Sequence, residues 1–375
     1  MGIVPNFIVT PFSPLFADHS SSANKPAPPP LRFPSHLTYE GIASPSLKFG
    51  VHTLPNGMNM RFGVVGPARG AQRTMVLVLG KSGFIEKCES STLREYTDRG
   101  FRVFIPELPN QGKSSRVFST RDHVDDFDLY VSSFNSFFDK VVKQNKIGPT
   151  LISAHSLGSI VVGHWAADQK NLKERVPAMI LEAPMFQFTC PPLKAIMQDH
   201  ARRLLGREPP ADQPRATPPA YAKYLANIMV ATGFGKTYAL GEGDYDPSAH
   251  PFDNNPHTRN KRYHDHVKQQ WAVDPKLVIG GVTWGWFCAA LDAVERLQKP
   301  GRLERIETSV LAFIGNKDKY TPFDSNAKLV GRIPNATIVP INGALHDLMG
   351  ERGLPDVREK ISRHTNQFLR RVPGF

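Results

Sequence analysis

Ser156, Asp318 and His346 have the residue types and the spacing needed to build an acyl-accepting nucleophile. Ser156 lies in Ala154-His155-Ser156-Leu157-Gly158, between the apolar run Leu151-Ile152 and the helical pattern of Ile160-Val161-Val162. Small residues around a lone serine at a strand-to-helix junction are the signature of a nucleophile elbow, a turn too sharp for large side chains on either side. Ala154 stands where a glycine is usual. A serine hydroxyl near neutral pH is a poor nucleophile, so it needs a base, and the base needs an orienting acid. Asp318 follows the strand-like run 309–314 and His346 follows 335–340, so acid and histidine come in order, each just past its own strand. Each alone would be unremarkable; together they imply acyl transfer through a covalent serine intermediate. The oxyanion of such a reaction needs two backbone amides. Leu157, directly after the nucleophile, supplies one. Lys81, in the loop Leu79-Gly80-Lys81-Ser82-Gly83-Phe84, supplies the other.

The elements that must position these residues alternate along the chain. Residues 58–65, 74–80, 102–107, 178–183, 309–314 and 335–340 read as strands, together with the run before the elbow. Helical patterns fall near 89–99, 124–144, 285–297, 323–331 and 355–371, and directly after Ser156. Asn56-Gly57 is a tight-turn signal before the first strand. Buried strands alternating with helices imply a mostly parallel sheet covered on both faces. The rhythm stops over 186–283, which is rich in Pro, Arg, His and aromatics, with Pro191-Pro192, Pro209-Pro210 and Pro218-Pro219 punctuating short helical stretches. An insertion of that size after a late strand reads as a largely helical cap over the strand ends, where open α/β sheets place their sites. The expected organisation is an extension over 1–48, a core of 49–185 and 284–375, and a cap of 186–283.

Composition narrows the class. With 40% hydrophobic residues and a mean hydropathy of −0.31, the chain reads as a globular protein, and no apolar run approaches the roughly 20 residues of a spanning helix. Lys and Arg exceed Asp and Glu by 46 to 34, a net charge of +12. That excess serves as general surface charge or as attraction to an anionic membrane surface or anionic substrate. Zinc-finger spacing, an RNP-type motif and a long basic block are all missing, so nucleic acid is not an expected partner. Three scattered cysteines exclude a disulfide framework and fit a reducing, cytoplasmic compartment. Pro5, Pro11 and Pro14 interrupt the apolar N-terminus and no basic region precedes it, which argues against a secretory signal. Asn6 removes the myristoylation pattern. Phe7, Ile8, Phe12, Leu15 and Phe16 are expected to pack on the domain, with insertion into a membrane interface as the alternative.

Several other clusters have simpler explanations than chemistry. Tyr263-His264-Asp265-His266 lacks a companion pair at zinc spacing. Asp244 and Asp246 lack the glycine and bidentate glutamate of a calcium loop and fit a bend whose Asp side chains bond backbone amides. His123 before Asp125-Asp126 fits the start of a helix. His155 reads as an elbow packing residue, and Trp284 and Trp286 as packing between cap and sheet. Neither a metal nor a cofactor is expected.

The chain resembles the lysophospholipase and monoacylglycerol lipase branch of the α/β-hydrolase superfamily, particularly its bacterial lysophospholipase members. The matching motifs are Gly80-Lys81-Ser82-Gly83-Phe84-Ile85-Glu86-Lys87, Asn110-Gln111-Gly112-Lys113-Ser114 and His123 through Val131. They continue with the elbow, Gly343-Ala344-Leu345-His346-Asp347-Leu348, and the cap segments Gly241 through Pro247 and Gly281 through Trp286. The resemblance implies an α/β-hydrolase fold with a cap, and hydrolysis of a carboxylic ester of a single-chain lipid with Ser156, Asp318 and His346 as the triad. Departures are Pro109-Asn110-Gln111-Gly112 for Arg-Gly-Gln-Gly, Ser159 for a glycine, and Gly83 for an acidic residue. A short-chain carboxylesterase, an acyltransferase and an inactive lipid-binding module stay open beside it, as does the oligomeric state. Peripheral contact at the inner membrane face would suit a lipid substrate.

Overall fold

Eight strands form one sheet: β1 (Lys48–Thr53), β2 (Asn59–Val65), β3 (Arg73–Val78), β4 (Phe101–Pro106), β5 (Thr150–His155), β6 (Ala178–Glu182), β7 (Ser309–Gly315) and β8 (Ala336–Ile341). The computed structural model describes residues 47–66, 70–88, 90–205, 215–246, 251–253 and 255–375. The strand order is β1-β2-β4-β3-β5-β6-β7-β8. The β1–β2 and β2–β4 pairs are antiparallel and the rest are parallel. The described residues all belong to one unit, Thr38–Phe375. The N-terminal apolar residues from Phe7 to Phe16 lie outside them.

Parallel strands need long crossovers, and helices supply them on both faces. Alternation along β3 shows the division: Val76 and Val78 join one apolar layer, Met75 and Leu77 the other. The first layer is closed by α2 (Asp128–Phe137), α3 (Leu157–Ala167) and later α7 (Trp284–Gln298), through Phe134, Trp165 and Leu297. The second is closed by α1 (Ser90–Thr97) and the C-terminal α9 (Pro355–Leu369), through Leu93, Val357 and Ile361. Every residue of α3 is buried, as a helix that is apolar all round should be.

Between β6 and α7 lie α4 (Leu193–Leu204), α5 (Ala220–Ala231) and α6 (Lys261–Val273), and α8 (Phe323–Val330) follows β7. Leu193, Met197, Tyr221, Tyr224 and Ile228, on α4 and α5, are exposed. No helix among the described residues is long and apolar enough to cross a membrane.

Two expectations change. The helix expected from 124 starts at Asp128, because Asp122 is held in a bridge to Val282 and the Asp126 carboxylate accepts the Asp128 N–H at 2.8 Å. It continues beyond Phe137 as a π turn, Phe138–Val142, that brings Phe138 to 4.8 Å from the Trp165 ring. Lys48, expected in the extension, begins β1, which pairs with β2 across the Asn56-Gly57 turn.

Candidate active site

β5 ends at His155, and Ser156 turns the chain with φ 50° and ψ −118° before α3 begins at Leu157. A non-glycine residue in this region is strained by about 1–3 kcal/mol. The turn is held by the Ser156 N–H, which donates to Glu182 O at 3.0 Å, and by the Ser156 carbonyl, which accepts from Ser159 N at 2.9 Å. A Cβ on Gly158 would lie 2.6 Å from Val78 O and 2.7 Å from Leu79 O, so the helix can sit this close to β3 only with glycine there. Ala154 fits its methyl into the apolar core, and the Ser159 hydroxyl donates to Ala154 O at 2.7 Å, which gives both departures from the usual motif a place.

The structure brings Ser156, His346 and Asp318 together. His346 Nε2 is 2.9 Å from Ser156 Oγ, and His346 Nδ1 is 2.8 Å from Asp318 Oδ2. An ionised carboxylate can only accept, so Nδ1 carries the imidazole proton and Nε2 is left to accept from the serine hydroxyl. Asp318 is buried and its oxygens are well used. Oδ1 accepts from Tyr320 N at 2.8 Å and Thr321 N at 3.0 Å, while Oδ2 also accepts from the Thr321 hydroxyl at 2.6 Å. Burial works to raise this carboxyl, but the imidazole of His346 and the Thr321 donors outweigh it and hold it below the usual carboxylate range.

The loops carrying acid and histidine are tied to each other: Lys317 N donates to Ala344 O at 3.1 Å, and Gly343 N to Asn316 Oδ1 at 2.7 Å. They are also tied to the elbow. His155 Nε2 is 3.0 Å from His346 O, and since a carbonyl accepts, that nitrogen carries the proton. Burial lowers the His155 pKa and keeps the ring neutral. His155, expected only to pack, therefore ties the Ser156 turn to the His346 loop through the main chain. Asp347, next to His346, pairs with Lys87 Nζ at 2.7 Å and accepts from Tyr263 O–H at 3.2 Å. Burial opposes its ionisation, yet the Lys87 ammonium holds it well below the usual carboxylate range. The Asp347 N–H donates to His257 O at 2.7 Å, so the insertion braces the histidine loop directly.

Lys81 and Leu157, expected to offer the oxyanion amides, follow β3 and Ser156 respectively. The Gly80 carbonyl accepts from Gly83 N at 3.0 Å and from Gln111 Nε2 at 2.9 Å. The Lys81 N–H belongs to that same planar peptide, so it is held pointing the opposite way. The Lys81 side chain reaches to 4.0 Å from the buried Asp122 carboxylate. In the sequence Gln111 stands out only as part of the motif Asn110-Gln111-Gly112-Lys113-Ser114. Its role depends on a carbonyl thirty-one residues away and carries no local signal.

The remaining clusters have structural work. Tyr263 and His266 lie on α6, where His266 Nε2 donates to Glu86 O at 2.9 Å. His123 is buried with Nδ1 2.7 Å from Thr283 Oγ1, rather than starting a helix. Asp244 accepts from the Tyr238 hydroxyl instead of bonding backbone amides. Trp286 packs against Phe127 at 5.5 Å. Among the described residues no three His, Cys, Asp or Glu side chains are grouped to hold a metal ion.

The probable lysophospholipase L2 of Haemophilus influenzae is 24% identical over 306 residues, covering 82% of this chain and 86% of that protein. The monoacylglycerol lipase of Paleococcus ferrophilus superimposes with a TM-score of 0.56 at 19% identity, covering 83% of this chain and 98% of its own. A soluble variant of the monoglyceride lipase from Saccharomyces cerevisiae does so with a TM-score of 0.62 at 13% identity, over 88% and 96%. At these identities the structures establish the shared fold. The family described as Serine aminopeptidase, S33 (Hydrolase_4) matches residues 71–353, and the chain belongs to this family of α/β hydrolases.

Proposed function

We propose that the protein hydrolyses a carboxylic ester of a single-chain lipid, a lysophospholipid or monoacylglycerol, through an acyl-enzyme. The observation that carries this reading is the unbroken chain Ser156 Oγ, His346 Nε2, His346 Nδ1, Asp318 Oδ2, with steps of 2.9 and 2.8 Å. Ser156 Oγ attacks the ester carbonyl carbon while His346 Nε2 takes its proton. Asp318 orients the ring and stabilises the imidazolium, and the Lys81 and Leu157 N–H groups hold the oxyanion. Collapse breaks the acyl–oxygen bond, and the alcohol leaves with the proton from His346. Water then repeats the sequence against the acyl-enzyme, returning free acid and serine.

The lipid assignment is supported by the names of the relatives and by the motif resemblance. Residues 186–283 serve in this reading as the cap on a core of 49–185 and 284–375. Exposed Leu193, Met197, Tyr221, Tyr224 and Ile228, with the net charge of +12, support peripheral contact with an anionic membrane surface. Three free cysteines fit a cytoplasmic setting. The test is labelling with a fluorophosphonate probe, followed by turnover of monooleoylglycerol, lysophosphatidylcholine and p-nitrophenyl butyrate. Wild type is expected to label and Ser156→Ala to lose both label and turnover. A folded wild-type protein that does not label refutes the mechanism.

A further inference from the structure

Beside the triad stands a guanidinium that has no acid to neutralise it among the described residues. Cys190 and Ala216 exchange backbone hydrogen bonds at 2.9 Å in an antiparallel bridge, which sets Arg215 next to Thr189. Arg215 Nε donates to Thr189 Oγ1 at 3.1 Å and Nη2 donates to Thr189 O. The buried Thr189 is itself fixed, its N–H donating to Tyr320 O at 2.9 Å and its hydroxyl to Lys319 O. The guanidinium lies 4.2 Å from the Tyr320 ring centroid, and that ring lies 5.2 Å from the imidazole of His346. Two of five guanidinium protons are thus used, and among the described residues no carboxylate lies within ion-pair distance of Arg215. A planar fork held by its edge and stacked on an aromatic ring suits a phosphate. Lys317 and Lys319, on either side of Asp318, are exposed and add positive charge on the same loop.

The two ring contacts put the guanidinium within about 9.4 Å of the imidazole, their combined length. In a lysophospholipid, single bonds of roughly 1.5 Å along the glycerol separate the ester carbonyl from phosphorus by about 7 Å when extended. With phosphorus a further roughly 4 Å from the guanidinium carbon in a charge-assisted contact, an ester at Ser156 and a phosphate at Arg215 fit the reach of one molecule. We propose that Arg215, stacked on Tyr320, is the phosphate-recognition residue of a headgroup subsite, an inference that rests on the ester-hydrolase reading above. It selects lysophospholipids over monoacylglycerols of equal chain length.

The test uses the full chain and its Arg215→Gln and Arg215→Lys variants, with 1-oleoyl lysophosphatidylglycerol and 1-monooleoylglycerol in the same mixed micelles. Thermal melting confirms folding of each variant. The ratio of kcat/KM for the phosphorylated over the neutral lipid is expected to fall roughly tenfold or more in Arg215→Gln, the factor of one lost hydrogen bond to a charged group. Arg215→Lys, a point charge without the fork, should fall between. The loss should appear in KM, and glycerol 3-phosphate should inhibit wild type more strongly than Arg215→Gln. An unchanged ratio overturns the proposal, as does inhibition by inorganic phosphate that the substitution weakens without moving the ratio. Wild-type turnover of p-nitrophenyl butyrate with none of lysophosphatidylglycerol also overturns it and leaves the esterase reading intact. Absence of Ser156-dependent turnover of any ester overturns both.

Discussion

Gly80→Ala is expected to slow the chemical step by about 10²–10³-fold while leaving the fold intact. A Cβ at this position would lie 2.8 Å from His155 Nδ1 and 3.0 Å from Ser156 Cβ. Ordinary contacts of this kind sit near 3.5 Å, so something must move by roughly 0.5–1 Å. His155 is buried and bonded to His346 O, and Ser156 is fixed by Glu182 O, so the loop after β3 is the part able to yield. That displacement carries the Lys81 N–H away from the oxyanion. Loss of one such donor costs about 3–4 kcal/mol of transition-state stabilisation, which sets the rate change. Overpacking adds about 1–3 kcal/mol of destabilisation. The assay is kcat and kcat/KM on p-nitrophenyl butyrate beside a thermal melt, with Lys81→Ala as the contrast. Lys81→Ala keeps the amide and should change kcat by only a few fold. A folded Gly80→Ala enzyme with near wild-type kcat, or a Lys81→Ala enzyme equally slow, refutes the assignment of the oxyanion to this loop.

Gln111→Leu removes one of two donors to the Gly80 carbonyl and also removes Gln111 Oε1, a buried oxygen with no partner among the described residues. The lost bond and the relieved oxygen nearly cancel in stability, within about 1 kcal/mol, while kcat should fall roughly tenfold as the Lys81 peptide loosens. An unchanged kcat would show that the Gly83 N–H suffices. Asp347→Asn leaves the half-buried Lys87 without its counter-charge and should cost about 2 kcal/mol at neutral pH. Because the Asp347 carboxyl is depressed below its ordinary 3.8, its contribution is complete above that pH and is lost as pH falls through the folded-state value. Chemical denaturation against pH should therefore show wild type and Asp347→Asn converging below about pH 4. Parallel curves would exclude the ion pair as the source.

Strands β3 to β7 are readable in the sequence because burial on both faces turns them into apolar runs, as in Thr150-Leu151-Ile152 and Ala178-Met179-Ile180, while the edge strand β8 shows through Ile338, Val339 and Ile341. β1 is not readable. It is a sheet edge whose residues are half-buried or exposed, so nothing forces its side chains to be apolar. Ser156, Asp318 and His346 stand out for a related reason, since each follows the end of a strand that is itself legible. The groups that hold them do not. His155, Gln111 and Arg215 act on carbonyl or hydroxyl oxygens of segments distant in the chain, and a polar side chain aimed at a remote backbone atom leaves no periodicity.

The strain in the molecule is collected at the same edge of the sheet. Among the described residues, five non-glycine residues have positive φ, and Ser82, Asn110, Ser156 and Ala183 follow β3, β4, β5 and β6. These four strands are neighbours, in the order β4-β3-β5-β6. Each such residue costs about 1–3 kcal/mol and persists only where its surroundings over-determine it. Asn110 is held by its side chain, which donates to His123 O at 2.6 Å and accepts from Val117 N at 2.8 Å. Ala183 is held by its N–H on Phe313 O at 2.8 Å, and Ser82 by the Gly80–Gly83 turn. For Ser156 and Ala183 the supports are carbonyls of β6 and β7, Glu182 O and Phe313 O, so strands buried on both faces supply part of the stability that the C-terminal edge spends on posture. Stabilising changes that relax this edge should therefore lower turnover, whereas those placed in the two apolar layers should leave it alone.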